Sequence, residues 1–396
     1  MKSTTLLLAI LMLTGVVSCK KSGKDGQPDE NGNGNPANAK EFMVGSINNG
    51  QRREPIVWKD GELTRLPFES SQNTIAKSVT LAGNDVYILG HETSPNGFIR
   101  TSRIVTWKNE EMTAVTDGSK RAAPVKMIVD NGNVYVLGTE TDQSQGSSTT
   151  LYKYWKNGVV TPLNTRAGEA TDMVVVNNDV YISGNEANAA GRKVAKYWKN
   201  GQAVDLTDGV KEAYAEGISV EGATIAVLFR QANSTQFGND LKVWKNNVVS
   251  TLNTGNFLSL GKKILLKNNV AHVLANQNMP NLSQQVVYWA DAAKKEITTG
   301  DRNGYPIDMQ LAGSDVYILF EEVNSSNTVI AKLAKNGVVK SISKDSDDTN
   351  PTAFTVVNGI EYIVGNSDSK AFLWKNGQES NVNLNGAVNG IFVKNN

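Results

Sequence analysis

The chain has one cysteine and two histidines among its 396 residues, and its formal net charge is +1. A single thiol excludes a disulfide framework. His91 and His272 stand far apart and leave no histidine pair for a metal, so neither a metal nor a cofactor is expected. Near-neutrality gives no electrostatic ground for binding nucleic acid. The nucleophile pattern Gly-x-Ser-x-Gly does not occur, which removes the local signature of one class of serine hydrolase. The longest early apolar run, Leu6 to Leu13, is too short to cross a bilayer comfortably.

That apolar run has another use. Lys2 precedes it and Val16-Val17-Ser18-Cys19 follows, the order of a secretory signal with its cleavage site. The last four residues resemble the lipobox of bacterial lipoproteins. The resemblance implies cleavage after residue 18, a lipid on Cys19 and an anchor of several acyl chains. Lys20 stands where some bacteria place the aspartate of an inner-membrane retention signal, so the outer membrane is the expected address. Residues 20–40 are rich in Gly, Asn and Pro with no apolar period. They read as a flexible tether with a reach on the order of 25 Å. Three segments follow: signal 1–18, lipidated cysteine and tether 19–40, and folded body 41–396.

Abundance lies in repetition. "KYWKNG" occurs at Lys153–Gly158 and again at Lys196–Gly201, with variants at Trp58, Trp107, Trp244, Trp289 and Trp374. Ala334 keeps the frame where Trp is missing. The eight anchors are spaced by 49, 48, 43, 46, 45, 45 and 40 residues. A period near 45 fits one four-stranded propeller blade. Within Met173–Leu206, β-rich runs alternate with Asn-Asp and Asn-Gly hairpin turns, giving strands A, B, C and D. The repeated phrase is then the C–D corner. Glu41–Gly45 reads as a B strand without its A, and Asn389–Asn396 as an A strand without its B. The predicted fold is all-β: an eight-bladed propeller closed by the C-terminal strand, with seven blades as the fallback.

The phrase resembles the WKNG-repeat β-propeller lipoproteins of bacteria, kelch-like in style, from Phe42 to the terminus. This resemblance speaks for architecture and hardly for activity. The chain departs from its own pattern at Ala226 and His272, which take a tyrosine place, and at Ala334.

Antiparallel order puts the B–C and D–A loops on one side of the disc, and these are the long, varied ones. Variable loops on a rigid scaffold carry function. A recurring acidic or amide position after strand B comprises Glu92, Glu140, Glu186, Gln231, Gln277 and Glu322, with Arg230 beside it. It reads either as a ring of acceptors or as a tie between blades. A second set, expected at the start of strand A and facing the channel mouth, includes Lys126, Asp172, Lys263 and Asp308. These read either as ligand groups or as ion pairs between blades. Phe98, Phe237, Tyr214 and Tyr305 fall in predicted loops, where an exposed ring could stack on a ligand. "KDSDDTNP" (344–351) lacks the glycine and glutamate of a calcium loop and reads as a solvated loop.

The expected function is a lipid-anchored, non-enzymatic module binding a glycan, a peptide or an envelope protein through the loop face, with a monomeric body. Two alternatives stay open: an outer-membrane assembly scaffold, or a polysaccharide-active enzyme using paired carboxylates at the channel mouth.

Overall fold

A computed structural model describes residues 39–94, 101–142, 149–235, 238–254, 257–367 and 370–395. Chain contacts separate Met1–Ala37 from Asn38–Asn396, and the described residues lie in the second unit. Cys19, the signal and residues 19–38 of the tether are outside them.

All regular elements are strands, paired antiparallel within each repeat. Repeat 2 shows the plan: A at Asn73–Ala82, B at Asp85–Thr93, C at Ser102–Lys108 and D at Glu111–Ala114. Repeats 4 to 7 each form a separate four-stranded sheet in chain order, and a single parallel bridge, Ser102↔Arg121, joins repeats 2 and 3. The last strand, Gln378–Lys394, has 17 residues and serves two sheets. Its first half pairs with Lys370–Lys375; its second half pairs with Lys40–Asn48, Phe42 opposite Phe392. The A strands of successive repeats touch one another, and the final strand touches both Thr349–Val357 and Asn73–Ala82. This is propeller-type architecture.

Each letter of the corner phrase has a local role. In repeat 4, Asn200 and Gly201 take φ of 52° and 86°, the left-handed pair of a tight hairpin. The Asn200 side chain accepts a hydrogen bond from the Val180 N–H and donates to Asp179, both at 2.8 Å. Lys199 lies 2.8 Å from Asp179 and 5.2 Å from the Tyr181 ring centre. The same lysine–tyrosine stacking recurs at Lys108, Lys156, Lys335 and Lys375.

The tryptophan belongs to the seam between repeats, not to the blade's edge as its corner position predicts. Trp107 shares a buried cluster with Phe42 of the preceding repeat, Trp155 with Tyr87, Trp198 with Tyr135 and Trp374 with Tyr317. Trp58 packs against the cluster that holds Tyr362. Gly90 has no side chain because a Cβ there would overlap the Trp107 ring. Repeat 7, which has Ala334 for Trp, has Phe320 at the matching place, and both are buried in one cluster.

Candidate functional site

Every A strand skips one residue in its pairing with B. Lys77, Val125, Thr171, Glu216, Lys262, Ile307 and Thr352 are the extra residues, and Asn389 is the extra residue opposite Lys40–Asn48. A bulge re-aims a side chain out of the regular alternation. Four of these side chains reach the next repeat, at the residue just before its own bulge. Thr171 donates to the Ala215 carbonyl (3.2 Å), Thr352 to Val388 (2.9 Å) and Asn389 to Ala76 (2.8 Å). Glu216 accepts the Gly261 N–H at 2.6 Å.

The predicted Lys/Asp set directly follows these bulges, in mid-strand and not at the strand start. There the charges neutralise one another between neighbouring repeats: Lys126 to Asp172 at 2.6 Å, Lys263 to Asp308 at 2.5 Å. Each aspartate also accepts the amide of the following methionine at 2.8 Å.

The acidic position expected after strand B lies inside it, near its end, and ties together parts of its own repeat, not neighbouring blades. Glu140 pairs with Lys153, Glu186 with Lys196 and Glu322 with Lys332, all cations of strand C in the same sheet. Glu92 is buried and takes Arg103 Nε at 2.8 Å and the Glu69 N–H at 3.2 Å. Glu186 likewise accepts from the Thr165 and Arg166 amides of the incoming loop. Every one of these carboxylates is thus engaged within the scaffold, whereas Gln277 at the same place keeps a buried Oε1 without a partner.

Two places differ from this scaffolding. In repeat 5, Tyr214 stands opposite Arg230 on the A and B strands. The Arg230 guanidinium lies 4.1 Å from the Tyr214 ring centre, and its Nε is 2.7 Å from Glu216. Tyr214 donates to Glu212 at 2.6 Å. Burial pushes the Glu216 carboxyl up to about 7, against the downward pull of Arg230 and the Gly261 amide, with Glu169 adding a further upward push. In repeat 7 the equivalent pair is Tyr305 opposite Glu321. Burial, then the charge of Asp348, raises Glu321 to about 7, with Lys262 opposing. Carboxyls held near neutrality can take or release a proton at physiological pH.

Tyr214 and Tyr305 therefore lie in strands, not loops, and Tyr305 is exposed. The structure unites Arg230 with Tyr214 and brings Tyr305 to Glu321. Phe98 and Phe237 lie outside the described residues. Glu216 and Glu321 were missed because nothing in their local sequence marks burial. A usable signal was the tyrosine shared by repeats 5 and 7 at one strand position. His272, in its tyrosine place, meets the Tyr288 hydroxyl at 2.6 Å, and burial lowers its pKa.

No family model and no curated protein matches the chain. Among solved structures it is similar to a puromycin-hydrolyzing peptidase of Mycobacterium tuberculosis, at 12% identity and a TM-score of 0.52. That likeness covers 78% of this chain and 53% of that one. Two further similar structures, at 10% identity and TM-scores of 0.49, are an acylaminoacyl peptidase of Pyrococcus horikoshii (83% and 56% covered) and the β-propeller domain of the Trilobed protease of Pyrococcus furiosus (78% and 93%). The chain spans about half the length of the first. The expectation of a non-enzymatic binder, with its scaffold and polysaccharide alternatives, is corrected by the likeness to the puromycin-hydrolyzing peptidase and is set aside. At such low identity the likeness extends to the fold alone: an all-β chain of four-stranded, propeller-type sheets.

Proposed function

We propose that this chain is the propeller part of a peptide-cleaving system. The observation that carries the reading is the likeness to about half of a peptidase. The geometry supports it through the asymmetric stretch of repeats 5 to 7, where Glu216, Arg230, Lys262 and Glu321 offer both signs of charge beside two tyrosines. A peptide presents the same mixture of charges, amides and rings. In this reading the body is an eight-bladed closed ring, with the second half of Gln378–Lys394 as the inner strand of the first blade. The pairing of Phe42 with Phe392 and the Asn389–Ala76 hydrogen bond support closure. The same proposal keeps the body on the outer membrane through a lipid on Cys19 and the tether 19–40.

The test isolates the tagged full chain from its native envelope in mild detergent and incubates the eluate with a mixed peptide ladder read by mass spectrometry. The expected result is peptide cleavage that falls at least about tenfold with Arg230→Glu, an interaction-sized loss of roughly 1.4 kcal/mol. A wild-type eluate that cleaves no peptide overturns the reading.

A further inference from the structure

The outermost strand of every sheet offers a row of unpaired backbone groups, and folded proteins protect such edges with charge, proline or brevity. Seven of the eight outer strands follow that rule. Glu62–Arg65, Glu111–Ala114, Gln202–Asp205, Ala293–Glu296 and Val338–Ser341 are four residues long and carry at least one charge; Val159–Pro162 ends in proline. The outer part of Gln378–Lys394 contains Glu379. The strand of repeat 5, Val248–Thr254 (VVSTLNT), has neither charge nor proline and is seven residues long. Val248 is 65% exposed and Val249 48%, with Ser250 and Thr251 exposed after them. A bulge at Leu252 turns its far end, which leaves Val248–Thr251 as the straight, open stretch.

We infer that Val248–Thr251 is a self-pairing edge, on which a second copy of this chain docks antiparallel about a twofold axis. The charge pattern selects that occupant. Antiparallel pairing about the twofold sets Val249, whose backbone groups face outward, opposite Thr251 of the second copy and Ser250 opposite its own copy, uncharged pairs that suit one another. The nearest charges, Lys242 and Lys245, are one strand back and already engaged, Lys242 at 2.9 Å from Gln231 and Lys245 at 3.3 Å from Asp291. A charged partner strand would meet no complement here. The twofold arrangement uses the same patch twice, as most closed dimers do. This inference stands apart from the peptidase reading and replaces the monomeric body expected from sequence.

Sedimentation velocity on the full chain, with Cys19→Ser to remove lipid-driven association, reads the outcome. A strand pair is smaller than a standard interface, so half-dimerisation is expected at about 100 µM. Hydrogen exchange at Val249 and Thr251 should slow as concentration rises. Val249→Lys should give monomers throughout, whereas Val338→Lys, on a still more exposed valine of another edge, should dimerise like the wild type. A chain that stays monomeric at several times that concentration overturns the inference. So does a Val249→Lys variant as dimeric as the wild type, or a monomer that captures a neutral extended peptide on this edge.

Discussion

Asn200 shows how much a single exposed residue can hold. Its side chain closes two hydrogen bonds to strand B while its backbone occupies the left-handed region. Asn200→Ala loses both bonds and keeps the strained φ, so a loss of about 1–2 kcal/mol is expected in urea unfolding. Glu216 makes the opposite kind of statement. Its folded pKa, about 7, lies above the ordinary 4.5, so between those values the folded state keeps a proton that the unfolded chain has released. Stability therefore falls as pH rises from about 4.5 to 7, by at most roughly 3 kcal/mol. Comparing urea midpoints at pH 5 and pH 8 tests this: wild type should lose more than Glu216→Gln across the interval. The corner phrase was legible because each of its letters acts within a few residues. Glu216 was not, since its burial depends on Gly261, 45 residues away.

At the scale of strands and seams, repeats 2 and 7 exchange volume, whereas repeat 5 keeps both Phe229 and Trp244 buried in one cluster. Where Trp107 lies across the seam, Gly90 makes room; where Ala334 replaces it, Phe320 fills the space. Phe320→Gly alone should cost about 3–5 kcal/mol through the cavity it leaves, and Ala334→Trp alone about 1–3 kcal/mol through overpacking. The double variant restores the pattern of repeat 2 and should be more stable than the sum predicts, with a coupling of about 1–3 kcal/mol in a double-mutant cycle. Strand order and turn positions were readable from alternation and Asn-Gly pairs. The bulges were not, because a bulge is a statement about register between two strands. That is why Lys126, Asp172, Lys263 and Asp308 were placed at strand starts, when pairing sets them just past a bulge. The departure at Ala334 was visible in sequence, but its compensation by Phe320 needed the seam.

Across the whole molecule, the junction of the two chain ends concentrates the risk. Gly45 faces the Ala387 carbonyl so closely that no side chain fits, and Val388, Ile391 and Val393 are buried there. A chain stopped at Asn385 leaves the partner of Lys40–Asn48 missing. Each buried apolar side chain is worth about 1.5–3 kcal/mol, so this truncation should cost more than about 4 kcal/mol and broaden the urea transition followed by circular dichroism. The pairing of the first and last strands was legible from Glu41–Gly45 and Asn389–Asn396, since half-repeats leave a recognisable remainder. Activity was not, because propeller repeats describe a scaffold and the distinctive carboxyls lie in positions every repeat possesses.

Because one long strand, Gln378–Lys394, pairs with both Lys370–Lys375 and Lys40–Asn48, Lys40–Asn48 must wait for its partner until that distant strand has been made. At about 5–20 residues per second, the roughly 350 residues between Phe42 and Phe392 take some 20–70 s to emerge from a ribosome. Throughout that interval Lys40–Asn48 keeps one of its two edges unpaired.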